Sequence, residues 1–324
     1  MLPGLIDLAS EMVGGKALSA SDEFFAPKEN LLKVAEPIFV PDKYTEHGKW
    51  MDGWESRRKR TPGYDWCVVK LGLPGVVRTV DVDTRHFLGN YPEHCSLDGA
   101  SVGREPTEKD WTPLLAKARL AGGAHNIFDT QGNGSLTHVR LNIFPDGGVA
   151  RLRVLGEVVP DIEKLKASRE PVDFASVVNG GRVLASSDNF FGHQQNLILP
   201  DRPTTMGGGW ETRRRRGPGY DWIIVQLGAR ARIEKISIET EHYKGNYPDR
   251  CSVEGCDAVA ALLEDLITGK TAWKEILPVS KLEADNARLV ESELKAAPAA
   301  THVRLNIYPD GGVSRLRVFG KTVE

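Results

Sequence analysis

Residues 137–156 read THVRLNIFPDGGVARLRVLG, and residues 301–320 read THVRLNIYPDGGVSRLRVFG, differing at only three positions. In the first copy Val139, Leu141 and Ile143 alternate with His138, Arg140 and Asn142, the period of two of a strand with one buried face. Pro145, Asp146, Gly147 and Gly148 then turn the chain, because proline presets φ and glycine tolerates positive φ. A second alternating run follows, with Leu152 and Val154 between Arg151 and Arg153. The pattern predicts a hairpin with Arg140, Asn142, Arg151 and Arg153 on one face, and Arg304, Asn306, Arg315 and Arg317 on its twin. Guanidinium groups crowded in that way require an anionic partner, from protein or ligand.

Working outward, the rest of the chain repeats as well. Ser21-Asp22-Glu23-Phe24-Phe25 returns as Ser187-Asp188-Asn189-Phe190-Phe191, and Gly53-Trp54-Glu55-Ser56-Arg57-Arg58 returns as Gly209-Trp210-Glu211-Thr212-Arg213-Arg214. Tyr64-Asp65-Trp66 matches Tyr220-Asp221-Trp222. His86-Phe87-Leu88-Gly89-Asn90 matches His242-Tyr243-Lys244-Gly245-Asn246. The repeat is first recognisable at Ala20, after an amphipathic lead-in over residues 2–12. Residues 33–47, rich in proline and lysine, read as an irregular loop, ten residues longer in the first copy than in the second. Alternating strands are expected over 67–72 and 76–84 and over their counterparts 223–228 and 231–240. Helical spacing occurs at 257–268, more weakly at 114–120, and in a linker at 161–168.

These observations predict an all-β chain of two tandem β-sandwiches of jelly-roll type with few short helices, divided as residues 1–169 and 170–324. With 42 basic and 44 acidic residues the net charge is −2, so no global field draws nucleic acid or an acidic membrane. No apolar run approaches the ~20 residues of a bilayer span, and MLPGLIDLAS lacks the basic-then-apolar layout of a signal peptide. A soluble cytoplasmic protein is expected. Cys67, Cys95, Cys251 and Cys256 show no CxxC spacing and read as free thiols.

The four duplicated motifs resemble the allantoicase family: a Gly-Trp-Glu-Thr-Arg-Arg segment, an Asp-Trp strand start, a His-Phe-x-Gly-Asn loop, and a closing Arg-Leu-Asn-Ile-x-Pro-Asp-Gly-Gly-x-x-Arg-Leu-Arg stretch. The match runs from about Asp22 onward, with Ser56 where threonine is usual and Tyr243 where phenylalanine is usual. The resemblance implies a repeated jelly roll similar to galactose-binding domains. It also implies hydrolysis of allantoate to (S)-ureidoglycolate and urea in purine and allantoin breakdown.

Allantoate carries a carboxylate and two identical ureido arms on one carbon. Arginine is the natural clamp for the carboxylate, which makes Arg57, Arg140, Arg213 and Arg304 candidates for substrate binding. Their structural alternative is ion pairing with Glu55, Asp65 or Asp146. His86 and His242 are candidate general acids or bases, Glu55 and Glu211 candidate general bases, and Asn90 and Asn246 candidate partners of a ureido arm. Each has a bland counterpart: a structural histidine, a carboxylate lowered by a neighbouring arginine, an asparagine that forms a turn. The tryptophans and tyrosines of the motifs are expected to pack.

A metal on His86, Glu55 and Asp65 lacks support from any HxH or HExxH spacing, and no cofactor is expected. GxSxG and phosphate-binding glycine loops are absent. Both copies retain every polar motif residue, which leaves open two independent sites or one shared site. Two rival readings remain, a non-enzymatic tandem carbohydrate-binding protein and a structural assembly protein whose arginines face other copies. Homo-oligomerisation is open on either view.

Overall fold

The structure, a computed structural model, describes residues 4–296 and 299–323. The chain divides into two compact units, Ile6–Val159 and the segment from Pro160 onward, with Gly4 and Leu5 grouped with the latter. In the first unit the strands are β1 (Ile6–Asp7), β2 (Lys16–Ala20), β3 (Tyr44–Thr45), β4 (Gly48–Lys49), β5 (Trp54–Glu55), β6 (Asp65–Asp83), β7 (His94–Ala100), β8 (Thr112–Arg119), β9 (His125–Asp129), β10 (Leu136–Phe144), β11 (Gly148–Val149) and β12 (Arg151–Val158). Helix α1 (Ile162–Ala167), capped by Asp161, lies in the stretch read as a helical linker. The second unit repeats the plan with β13 (Val172–Asp173), β14 (Arg182–Ser186), β15 (Trp210–Glu211), β16 (Asp221–Glu239), β17 (Arg250–Cys256), helix α2 (Leu263–Thr268), β18 (Lys274–Lys281), β19 (Ala287–Val290), β20 (Ala300–Tyr308), β21 (Gly312–Val313) and β22 (Arg315–Thr322). Both units are jelly-roll β-sandwiches.

Each sandwich is organised by one long strand. In the first unit this is β6, which joins the two runs expected as separate strands; in the second it is β16. The first half of β6 pairs with β2 and β10, and its second half pairs with β12 and β9. Partners change around Leu73-Pro74-Gly75, between the two expected runs, where proline has no N–H to give a ladder. The strand continues because the Pro74 carbonyl still accepts from Val159 N at 3.0 Å. Gly75 is required there: a Cβ would fall 2.4 Å from the Glu157 carbonyl oxygen and 2.9 Å from Leu8.

The predicted hairpin does not form. Strands β10 and β12 bind opposite halves of β6, not each other, so the four arginine and asparagine residues expected on one face are divided between two places. Nor is the outward face of β10 solvated. Val139, Leu141 and Ile143 are fully buried as expected, but His138 and Asn142 are buried too. Asn142 donates to Ser96 Oγ at 3.0 Å and to Asp98 Oδ2 at 2.9 Å, and the Arg140 guanidinium closes the same face over the Trp111 ring.

Three further expectations are corrected. Residues 114–120 belong mostly to strand β8, because pairing with β7 at the edge of the sheet outweighs weak helical spacing. Only the second half of 257–268 is helical. The repeat starts well before Ala20, since β1 and β13 pair with β12 and β22 in matching registers, Ile6 with Gly156 and Val172 with Gly320. Of the lead-in read at 2–12, residues 2 and 3 lie outside the described residues. All four cysteines are buried and unpaired.

Candidate active site

The motifs that are dispersed in sequence meet at one end of each sandwich. The second half of β6 ends at Asp83, and the chain turns through Thr84 to Phe87, with Phe87 N donating to Thr84 O at 2.9 Å. This turn holds His86 at φ 71°, in the left-handed region where histidine is uncommon; His242 has the same value in the second unit. Strained backbone of this kind persists only where the surroundings enforce it, and it clusters at functional sites. Phe87 is buried with Met51 and Ala150, and Gly148 of the quoted stretch packs on it. A Cβ on Gly148 would fall 2.0 Å from the Phe87 ring, and one on Gly147 would fall 2.7 Å from the Asn90 carbonyl oxygen. Gly148 N donates to that carbonyl at 2.8 Å. The Pro-Asp-Gly-Gly turn is therefore a bed for the His-Phe-x-Gly-Asn loop, and β11 pairs with β5 to carry Glu55 alongside.

Glu55, His86 and Asn90 line a single cavity of about 320 Å³, with Phe25, Phe39, Lys49, Met51, Leu88 and Gly89. Asn90 Nδ2 donates to Glu55 Oε1 at 2.7 Å. Burial raises the Glu55 carboxyl above its ordinary value, and the Asn90 hydrogen bond opposes this only in part. The arginine expected to depress it is absent: Arg57, two residues on, points to Asp22. His86 Nε2 lies 3.0 Å from the Pro37 carbonyl oxygen. A carbonyl can only accept, so this contact assigns a proton to Nε2 and leaves Nδ1 as the nitrogen able to gain or lose one. The imidazole also stacks on Phe39, with ring centroids 5.9 Å apart.

The arginine candidates lie elsewhere. Arg57 donates through Nε to Asp22 Oδ2 at 2.7 Å, stands over the Phe24 ring, and does not line the cavity. Arg213 repeats this with Asp188 and Phe190. Arg140 is bound to Asp98 and to Glu108, at 2.8 Å from Glu108 Oε1, while Arg304 is bound to Glu254 at 2.7 Å. These carboxylates are none of the three weighed from the sequence. Asp65 is held by Lys59 at 2.8 Å and by Ser21, while Asp146 accepts from Lys59 N. Among the described residues no three histidine, cysteine, aspartate or glutamate side chains gather closely enough to hold a metal ion, so His86, Glu55 and Asp65 are not brought together as ligands.

The second unit holds Glu211, His242 and Asn246 in the same relation: Asn246 Nδ2 donates to Glu211 Oε1 at 2.6 Å, and His242 Nε2 lies 2.8 Å from the Pro203 carbonyl oxygen. Its surroundings differ. The shorter loop places Met206 Sδ 3.7 Å from Asn246 Nδ2, and the Tyr243 hydroxyl donates to the Met206 carbonyl at 2.7 Å. In the first unit the ten extra residues instead supply Phe39 and Lys49 as a wall. That loop is fastened by Arg85, which pairs with buried Asp83 and with Glu36, and by Arg151, whose Nη2 donates to Asp52 Oδ2 at 2.8 Å. Lys49, Phe39 and Pro37 were not singled out in the sequence, because two of the three sit in an insertion without a twin. Only Pro37 has a detectable signal, the recurrence of proline as Pro203.

The chain is a duplicated jelly roll that gathers a buried carboxylate, an imidazole on strained backbone and an amide around one cavity in its first repeat. The model of the allantoicase repeat matches residues 6–159 and again 172–323, and the chain belongs to the allantoicase family. It is 48% identical to a probable allantoicase of Burkholderia mallei, covering 97% of this chain and 94% of that protein, and 46% identical to one of Acinetobacter baylyi, covering 99% and 96%. The crystal structure of allantoicase from Saccharomyces cerevisiae superposes with a TM-score of 0.81 at 35% identity, covering 98% of this chain and 93% of that one.

Proposed function

We propose that the cavity of the first repeat is where this member of the allantoicase family hydrolyses allantoate to ureidoglycolate and urea. The observation that carries the assignment is the buried Glu55–Asn90 pair facing the same cavity as His86. Glu55 is the general base: its desolvated carboxylate takes a proton from water, and the oxygen of that water bonds to the carbon bearing the ureido arms. The bond from that carbon to one ureido nitrogen breaks, and His86, protonated on both nitrogens, delivers the Nδ1 proton to the departing nitrogen, which leaves as urea. Asn90 fixes the Glu55 carboxylate. Arg57 and Arg140 serve the loops that they brace, because their charges are already matched.

The test is urea release from allantoate by Glu55→Gln and His86→Asn, beside the twin changes Glu211→Gln and His242→Asn. Asparagine tolerates the left-handed conformation, so the histidine variants keep the turn. Loss of acid–base catalysis costs roughly 10²–10⁴-fold. Such losses are expected for the first pair, with near-normal rates for the second. Full activity in Glu55→Gln would remove the assignment. The surrounding reading is of a cytoplasmic enzyme without nucleic-acid or membrane partners, supported by four buried thiols, which suit a reducing compartment, and by a net charge near zero. Among the described residues no helix is long and apolar enough to cross a membrane.

A further inference from the structure

We infer that Lys49 is the cation that anchors the carboxylate of the substrate, an assignment that rests on the first-repeat cavity being the active site. A carboxylate entering this cavity meets Glu55, itself an anion when it acts as base. A cation within the same walls must offset that repulsion. The nearby arginines are unavailable: Arg57 is committed to Asp22, Arg85 to Asp83 and Glu36, and Arg151 to Asp52. Lys49 lines the cavity and has no carboxylate partner among the described residues. Its Nζ rests 4.4 Å from the centroid of the Phe39 ring, a contact that holds the ammonium while leaving its hydrogens free to donate. The same ring stacks on His86, so one phenyl group sets both the anchoring cation and the imidazole.

The backbone supports this placement. Lys49 ends β4, which pairs with β3 as a two-stranded ribbon, and Trp50 N donates to Lys43 O at 3.0 Å. Lys49 lies in the ten-residue insertion that the second repeat lacks. The difference gives the ten-residue insertion a chemical purpose. The two ureido arms are identical, so holding the carboxylate at Lys49 fixes the central carbon and presents one arm to His86 while water approaches from Glu55. It also makes the cavity selective for an acid over the corresponding neutral amide.

The test is steady-state kinetics of Lys49→Met and Lys49→Arg with allantoate, together with competitive inhibition by the carboxamide of allantoate. A charged hydrogen bond corresponds to roughly a 10- to 100-fold change in affinity. Lys49→Met is expected to raise KM for allantoate by that factor with kcat little changed, and to leave the inhibition constant of the carboxamide as in the wild type. Lys49→Arg is expected to recover most of the loss. An unchanged KM in Lys49→Met, or equal weakening of acid and amide, overturns the assignment while leaving the cavity as the active site. Full activity in Glu55→Gln removes both. Lys49 is exposed on a surface ribbon, so the substitutions leave folding intact.

Discussion

Duplication provides an internal control for the role of the first-repeat loop, through Arg151→Met and Arg315→Met. Arg151 is 1% exposed and donates to the Ala35, Asp52 and Ala150 carbonyls and to the Asp52 carboxylate. Removing one member of a buried ion pair costs about 3–5 kcal/mol. Asp52 would retain Lys33 at 3.4 Å and the amide of Ile38 at 3.1 Å, which places the loss near the lower end, about 3 kcal/mol. For a unit of this size that corresponds to a fall in melting temperature of roughly 6–12 °C. The Asp201 partner of Arg315 has a side chain 35% exposed and can rehydrate, so Arg315→Met should cost less, roughly 2 kcal/mol.

Activity should separate the two variants far more than stability does. Ala35 and Asp52 flank the segment that brings Pro37 to His86 and Phe39 and Lys49 to the cavity, so Arg151→Met loosens three of its contacts at once. Urea release measured well below the melting temperature should drop at least tenfold in Arg151→Met and stay near wild type in Arg315→Met. Two results would refute the reasoning: wild-type turnover in a destabilised Arg151→Met protein, or an equal loss of turnover in Arg315→Met.

The remaining predictions concern Glu55 and the turn glycines. Glu55 must be ionised to act as base, so kcat/KM should fall as pH drops through a pKa that burial lifts above the usual 4.5. Replacing Asn90 by alanine removes the hydrogen bond favouring the charged form and should move that limb to higher pH in a pH–rate profile. A carboxyl raised in the folded state binds more protons there than when unfolded, so its destabilising effect is absent below the unfolded pKa and complete above the folded one. Glu55→Gln should therefore raise the melting temperature at pH 7 and leave it unchanged near pH 4. Gly148→Ala forces a methyl group to within 2.0 Å of the Phe87 ring and should cost roughly 1–3 kcal/mol in denaturant unfolding, whereas Gly89→Ala, with nothing within 4 Å of its Cβ, should fall within about 0.5 kcal/mol of wild type.

Much of this protein is decided locally and can be read from the chain. Strict alternation at Val139, Leu141 and Ile143 makes a strand whatever its partners, and recurrence of the same residues at 303, 305 and 307 makes a second domain. The Asp161 cap announces α1. Even the members of the polar set, Glu55, His86 and Asn90 with their twins, are legible as repeated polar residues beside turn formers.

What only the tertiary structure decided is which of these residues share a space. Adjacency in sequence suggested that β10 and β12 pair and that their arginines crowd together; partner choice along β6 separated them. The ion-pair partners of Arg57 and Arg140 are Asp22 and Asp98, 35 and 42 residues away, and neither is one of the carboxylates that the sequence brought forward. Lys49 looks like one more lysine in an irregular insertion until the ribbon folds it over Phe39 and into the cavity. Burial and charge pairing are properties of groups brought together across long stretches of chain, and the sequence of either partner alone does not contain them.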